Sequence, residues 1–190
     1  MSMQPGLFLR NTDRIIPGYG FKKSVDVFQM LTAADGTALT GTHTNIGRAA
    51  PETGFMGLIG DSSGTFAVTL VHKVPWDYDQ SIDKMKLRFL AQMAGNTNTA
   101  IKLDAALYQK KVGAAVSADL DPTISAAVPI LSSYAGWVEI VASGPGLVAG
   151  SGLCWVVTCT AHTTDALWIY NAEVEYYSDL VYFDRAIRRS

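Results

Sequence analysis

Met85, Leu87, Phe89, Ala91 and Met93 alternate with Lys84, Lys86, Arg88 and Gln92, a period of two broken only at Leu90. That spacing predicts a strand with one buried face and one wet face. Phe66-Ala-Val-Thr-Leu-Val-His-Lys-Val74 is β-rich and stops at Pro75, the mark of a second strand. Asn96-Thr-Asn-Thr99 has turn composition and Ile101 to Tyr108 reads as a return strand, so 85–108 is expected to be a hairpin. Val25–Leu31, Trp137–Val141, Leu153–Thr160 and Leu167–Tyr177 complete the set. In the last, Leu167, Ile169 and Asn171 share one face, and Trp168, Tyr170 and Ala172 the other. Gly144-Pro-Gly-Leu-Val-Ala-Gly150 is a loop. Ala114 to Ala127 is the best helical candidate, weakened by Pro122 and β-branched neighbours.

Short strands separated by loop signals predict an all-β protein, an antiparallel β-sandwich. About eight strands favour a jelly roll over the seven-stranded immunoglobulin fold. The Cys–Trp–Cys pattern of an immunoglobulin domain is absent. The sandwich is placed at 25–180. Residues 1–24 hold Pro5, Gly6, Pro17, Gly18 and Gly20 among apolar Leu7, Phe8, Ile15 and Ile16, which reads as an extended N-terminal arm. That arm either docks on a partner or folds back on its own sandwich. Residues 181–190 form a basic tail.

Charge sharpens this division. The net charge is −2, but residues 1–24 carry +3 through Arg10, Arg14, Lys22 and Lys23 against Asp13. The tail Arg185-Ala-Ile-Arg-Arg-Ser190 carries another +3, leaving −8 for the body. A body of that sign does not suit nucleic acid. Charged residues make up 17% of the chain and hydrophobic ones 48%, too apolar for disorder. No run reaches about 18 apolar residues, so no membrane span is expected. The first ten residues lack an apolar core ahead of a cleavage site, so no secretory signal is expected. Cys154 and Cys159 fall in one strand, roughly 16 Å apart at about 3.3 Å per residue and on opposite faces. They cannot pair with each other there. Both are read as reduced, which fits assembly in a cytoplasm.

The chemical motifs fail on context. Gly60-Asp-Ser-Ser-Gly64 matches the nucleophile elbow, but a strand follows it where a helix is required, so Ser62 reads as a turn residue. Ser81-Ile-Asp-Lys84 lacks the partner elements of an acyl-enzyme site. Asp77, Asp79 and Asp83 form an acidic loop that is either a solvated turn or a calcium ligand set; Ile82 and Arg88 break the EF-hand template. His43, His72 and His162 have no metal-ligand spacing. Gly144, Gly146 and Gly150 miss the dinucleotide fingerprint by one residue. No catalytic residue, cofactor or metal is predicted, and the chain is expected not to be an enzyme. Trp76, Tyr78, Trp137, Trp155, Trp168, Tyr170, Tyr176, Tyr177, Tyr182 and Phe183 crowd the C-terminal half. Neighbours such as Tyr176-Tyr177 and Tyr182-Phe183 cannot all face inward, so some lie at a subunit interface or a ligand face.

Val74-Pro-Trp-Asp-Tyr-Asp79 followed by an alternating strand resembles the V-P-x-D-Y-D, then L-x-L-R, stretch of small virion proteins of tailed bacteriophages. Gly146-Leu-Val-Ala-Gly150, the strand 153–160, Asp165-Ala-Leu167 and Ala172-Glu-Val-Glu-Tyr176 are similar to later elements of the same family, over about residues 66–178. Ser151 stands where that family has an acid. The resemblance implies a jelly-roll virion component: a capsid-decorating (cement) protein, or a head or tail fibre subunit. It brings no catalytic residues. Its partners would be the major capsid protein or another virion protein, and further copies of itself, a trimer rather than a dimer, with no nucleic acid and no membrane. The expected interface residues are Leu7, Phe8, Arg10, Arg14, Ile15, Ile16, Tyr182, Phe183, Arg185, Arg188 and Arg189. The competing expectation is a carbohydrate- or receptor-binding β-sandwich that uses exposed Trp and Tyr as stacking platforms; a hydrolase using Ser62 is the third.

Overall fold

The computed structural model describes residues 21–33, 42–43, 46–52, 55–60, 66–95, 102–124, 135–160 and 165–179. Twelve strands lie among them: β1 (Phe21–Asp26), β2 (Leu31–Ala33), β3 (Thr42–His43), β4 (Ile46–Glu52), β5 (Phe55–Gly60), β6 (Phe66–Lys73), β7 (Lys84–Met93), β8 (Lys102–Lys110), β9 (Thr123–Ile124), β10 (Gly136–Ser143), β11 (Gly152–Thr160) and β12 (Leu167–Ser178). They form two antiparallel sheets, the β-sandwich of jelly-roll type that the alternation predicts. The larger sheet runs β3-β4-β5-β12-β7-β10-β9, and β1 pairs β12 beside β5. The smaller runs β2-β6-β11-β8.

The alternating residues supply the core between the sheets. Met85, Leu87, Phe89, Ala91 and Met93 of β7 and Val138, Ile140 and Ala142 of β10 are buried. They face Phe66, Val68 and Leu70 of β6 and Leu153, Trp155 and Val157 of β11. Each fully buried side chain of this kind contributes about 1.5–3 kcal/mol. The gap left between the sheets is apolar and too narrow for a small-molecule ligand.

Five expectations change. The hairpin over 85–108 does not form: β7 pairs β12 and β10, while β8 pairs β11 in the other sheet. Both edges of β7 are taken by long partners, which leaves none for β8. Val25–Leu31 is not one strand. β1 ends at Asp26, whose carboxylate accepts from the Phe28 amide at 2.9 Å, and a single 3-10 turn (Phe28–Met30) carries the chain into the smaller sheet. β1 begins at Phe21, so Lys22 and Lys23 belong to the sheet and not to an arm ending at 24.

The described part of Ala114–Ala127 is not helical. After Lys110 pairs with Val116, the chain runs back along β8. Ser117 Oγ accepts from the Gln109 amide and Asp119 Oδ1 from the Leu107 amide, each at 2.9 Å. Two side chains thus cover the outer edge of β8, which would otherwise offer its amides to another chain.

The fifth change is in β12. Its register against β7 slips between Ile169 and Asn171, one extra residue at Tyr170. This bulge reverses the parity. Leu167 and Ile169 face inward before it, and Ala172, Val174 and Tyr176 face inward after it. Ala172 therefore joins the core face, opposite to the expected assignment. Glu173 and Glu175 turn to the outside.

Candidate functional site

The acidic loop between β6 and β7 is neither solvated nor open. Asp77 accepts from Lys23 Nζ of β1, from Tyr176 Oη at 3.1 Å and from Ser178 Oγ at 2.7 Å. Asp79 accepts from the Ser81 amide at 2.9 Å. Asp83 accepts from Tyr78 Oη at 3.1 Å and from the Gly146 and Leu147 amides at 2.7 and 3.2 Å. Each carboxylate is held by protein donors, so the loop is a clasp that ties β1, β12 and the 144–150 loop together. Among the described residues no three His, Cys, Asp or Glu side chains cluster as a metal site. Burial raises the Asp77 carboxyl, but the Lys23, Ser178 and Tyr176 donors outweigh it and hold the group below its ordinary value. Burial, with Asp77 beside it, pushes the Tyr176 phenol up to about 12.

The outer face of the larger sheet gathers groups from four strands. The register aligns Asn171, Leu90 and Trp137 in one row. Asp26, Glu173, Arg88 and Glu139 form the next. Arg88 meets Glu173 at 2.6 Å and Glu139 at 3.1 Å; Lys86 meets Glu139 at 2.7 Å; Lys22 meets Glu175 at 2.6 Å. Three cations and three carboxylates interlock, and Asp26 in the same row and Lys84 two residues before Lys86 add one charge of each sign, so neither is in excess. The Lys86 hydrogen bond does most to hold the Glu139 carboxyl low, against the effect of burial and helped by the nearby Arg88 and Lys22 charges.

The Arg88 guanidinium lies 4.6 Å from the Trp137 ring centre, yet the indole remains 43% exposed. Towards the bulge the face becomes aromatic and amide-rich: Trp168 is paired beside Gln92, and Tyr170 Oη donates to Gln92 Oε1 at 3.3 Å. The result is an indole platform pinned on one side and bordered by fixed donors and acceptors. Its signal in the sequence is opposite charge at period two on different strands: Lys84-x-Lys86-x-Arg88 against Glu173-x-Glu175.

Of the residues expected at an interface, Leu7, Phe8, Arg10, Arg14, Ile15, Ile16, Tyr182, Phe183, Arg185, Arg188 and Arg189 all lie outside the described residues, as do Ser62 and His162. Lys22 and Lys23, assigned to the N-terminal arm from the sequence, are ion-paired within the chain. His72 is a structural residue: its Nε2 accepts from Trp155 Nε1 at 3.1 Å and its Nδ1 lies 2.9 Å from the Lys73 carbonyl. Burial lowers its pKa despite that carbonyl contact. Cys154 is a free thiol, raised by burial. The aromatics divide: Trp155, Tyr78 and Tyr176 are core, whereas Trp76 and Trp137 are exposed.

No family model and no curated protein matches the chain. Several solved structures resemble it in fold. The CBM22-1 xylan-binding domain of Paenibacillus barcinonensis Xyn10C is 12% identical with a TM-score of 0.48, over 84% of this chain and 97% of that one. The mannan-recognising module TmCBM27 is 9% identical with a TM-score of 0.40, over 82% and 96%. TmCBM61, solved with β-1,4-galactotriose, is 9% identical with a TM-score of 0.35, over 86% and 98%. At these values the likeness concerns the sandwich architecture and carries no functional argument.

Proposed function

We propose that the chain is a non-catalytic binding module whose outer face on the larger sheet takes a carbohydrate chain. The observation that carries this reading is the Trp137 indole, pinned by Arg88 and still 43% exposed inside a preformed lattice of donors and acceptors. A sugar ring offers an apolar C–H face and a rim of hydroxyls. An indole suits the first, and fixed carboxylates, amides and guanidinium suit the second. Groups already locked by their neighbours lose little freedom on binding. The three-against-three charge balance favours an uncharged glycan, since a net charge on the ligand would find no complement here.

Affinity electrophoresis against a panel of neutral polysaccharides tests the proposal. At least one should retard the protein, and Trp137→Ala should weaken that retardation about tenfold or more, an aromatic stacking contact being worth that order. Retardation by none, or no effect of Trp137→Ala, refutes it.

The resemblance to phage virion proteins supports placing such a module in a particle, as a decorating or fibre subunit. That placement rests on sequence alone, and Asp77, Tyr78 and Asp79, which carry much of it, serve the clasp. Mass spectrometry of purified particles would locate the protein, and light scattering would test the trimer.

A further inference from the structure

At the opposite corner of the molecule, where the smaller sheet ends, lies a second cluster. Lys73 of β6, Gly152 of β11 and Lys110 of β8 form one row. Neighbouring strands are about 4.8 Å apart, so the two lysines stand about 10 Å from each other across a glycine. Lys111 follows immediately. All three lysines are exposed. The Lys110 ammonium donates to the Ala114 carbonyl at 2.6 Å, and none of the three has a carboxylate partner among the described residues. Asp77, next to Trp76 in the chain, faces β1 and β12 and is paired with Lys23, and Asp83 is taken up by Tyr78 and the Gly146 and Leu147 amides.

Trp76 stands beside this row and is 80% exposed. Its position is fixed by Gly150, two residues before Gly152. A Cβ on Gly150 would lie 2.3 Å from Trp76 Cη2 and 2.5 Å from Cζ3, so the absence of a side chain there gives the indole its seat. The loops beneath are bound to each other: the Gly150 amide donates to the Val74 carbonyl at 2.9 Å, and the Val74 amide to the Ser151 carbonyl at 2.8 Å. The indole therefore rests on a braced support with most of its surface in solvent.

We infer that Trp76, Lys73, Lys110 and Lys111 form a second binding site, for an anionic polysaccharide: the indole stacks on a sugar ring while the lysines take its carboxylate or sulfate groups. This site is independent of the Trp137 platform, whose charges cancel. A single-stranded nucleic acid shares the stacking and the negative charge. It gains most from a row of exposed aromatics under successive bases; here Trp76 is exposed, while Tyr108, two residues before Lys110 on the same face, is half-buried. Stacking against a sugar needs only one ring, and the lysines can follow a charge on each repeat.

The full chain should bind heparin or polygalacturonate in calorimetry at low salt, more weakly as salt rises. Stronger binding of the first assigns sulfate, and of the second carboxylate. Trp76→Ala and the pair Lys110→Glu, Lys111→Glu should each weaken binding about tenfold, with thermal melts unchanged because these side chains are exposed. Trp137→Ala should leave this binding intact, which separates the site from the neutral-glycan platform. Three results would overturn the inference: neither polymer binds, Trp76→Ala binds as tightly as the parent, or an oligo-dT of matched charge binds tighter than both polymers. The second would mean simple adsorption to lysines and basic termini.

Discussion

Replacing Asp77 with alanine should cost this protein much of its stability. The carboxylate takes three donors from two strands: Lys23 of β1, and Tyr176 and Ser178 of β12. Ser178 is 0% and Tyr176 5% exposed, so both hydroxyls would lose a charged acceptor at a largely buried position. A hydrogen bond to a charged acceptor is worth about 1.5–3 kcal/mol, and the three share one group, so they do not add in full. The Lys23 and Asp77 side chains keep 30% and 16% exposure, which discounts the ion-pair part. A net loss of about 2–4 kcal/mol follows. For a chain of this length that lowers the Tm by about 4–16 °C. Thermal melts followed by circular dichroism and urea titrations followed by tryptophan fluorescence would both report it. A loss below about 0.5 kcal/mol, the level of an ordinary surface substitution, would refute the clasp. If the loop were instead a calcium site, EDTA would lower the parent Tm; the clasp predicts the same Tm with calcium and with EDTA.

Stability should fall in two stages on acidification. His72 has a lowered pKa, so its contribution is complete above its unfolded value of 6.5 and is lost as pH drops below that, when Trp155 Nε1 loses its acceptor. Asp77 and Glu139, also lowered, contribute fully above their unfolded values of 3.8 and 4.5 and lose that contribution below them. Tm measured from pH 8 to pH 3 should show both limbs, and Asp77→Ala should flatten the lower one only. Gly150→Ala should destabilise by about 1–3 kcal/mol in urea, because φ is +79° there, a conformation costly for a residue with a side chain. Asp119→Ala should cost about 1 kcal/mol or more and raise the aggregation rate in light scattering, since the Leu107 amide on the β8 edge loses its cover.

The sandwich was legible because its strands carry their own alternation. Met85 to Met93 announces a two-faced strand without reference to any neighbour, and β6, β10 and β11 do nearly the same. Pairing was not legible. The turn residues at 96–99 suggested a local partner for β7, but the partners that occupy it, β12 and β10, are distant in sequence. The bulge at Tyr170 was also hidden, because one inserted residue leaves no mark in composition and reverses every later side chain of β12. The candidate site depends on that reversal: Glu173 and Glu175 reach Arg88, Lys86 and Lys22 only after it. Trp76 and Trp137 could be named from sequence as aromatics with a choice of core or surface. Only the seat on Gly150 and the contact with Arg88 decide the choice.

The place of β12 has a consequence for how the chain is made. It is the last of the described strands, yet it sits inside the larger sheet, with β7 along one edge and β5 and β1 sharing the other. The larger sheet therefore cannot close until residues 167–178 have been made. Until residues 167–178 leave the ribosome, β7 presents an unpaired edge above a row of exposed apolar side chains, and β1 has nowhere to dock. The smaller sheet, whose strands all precede residue 161, can pair earlier. A nascent chain arrested after Thr160 would be the species most prone to aggregate and most in need of a chaperone, although it already contains eleven of the twelve described strands.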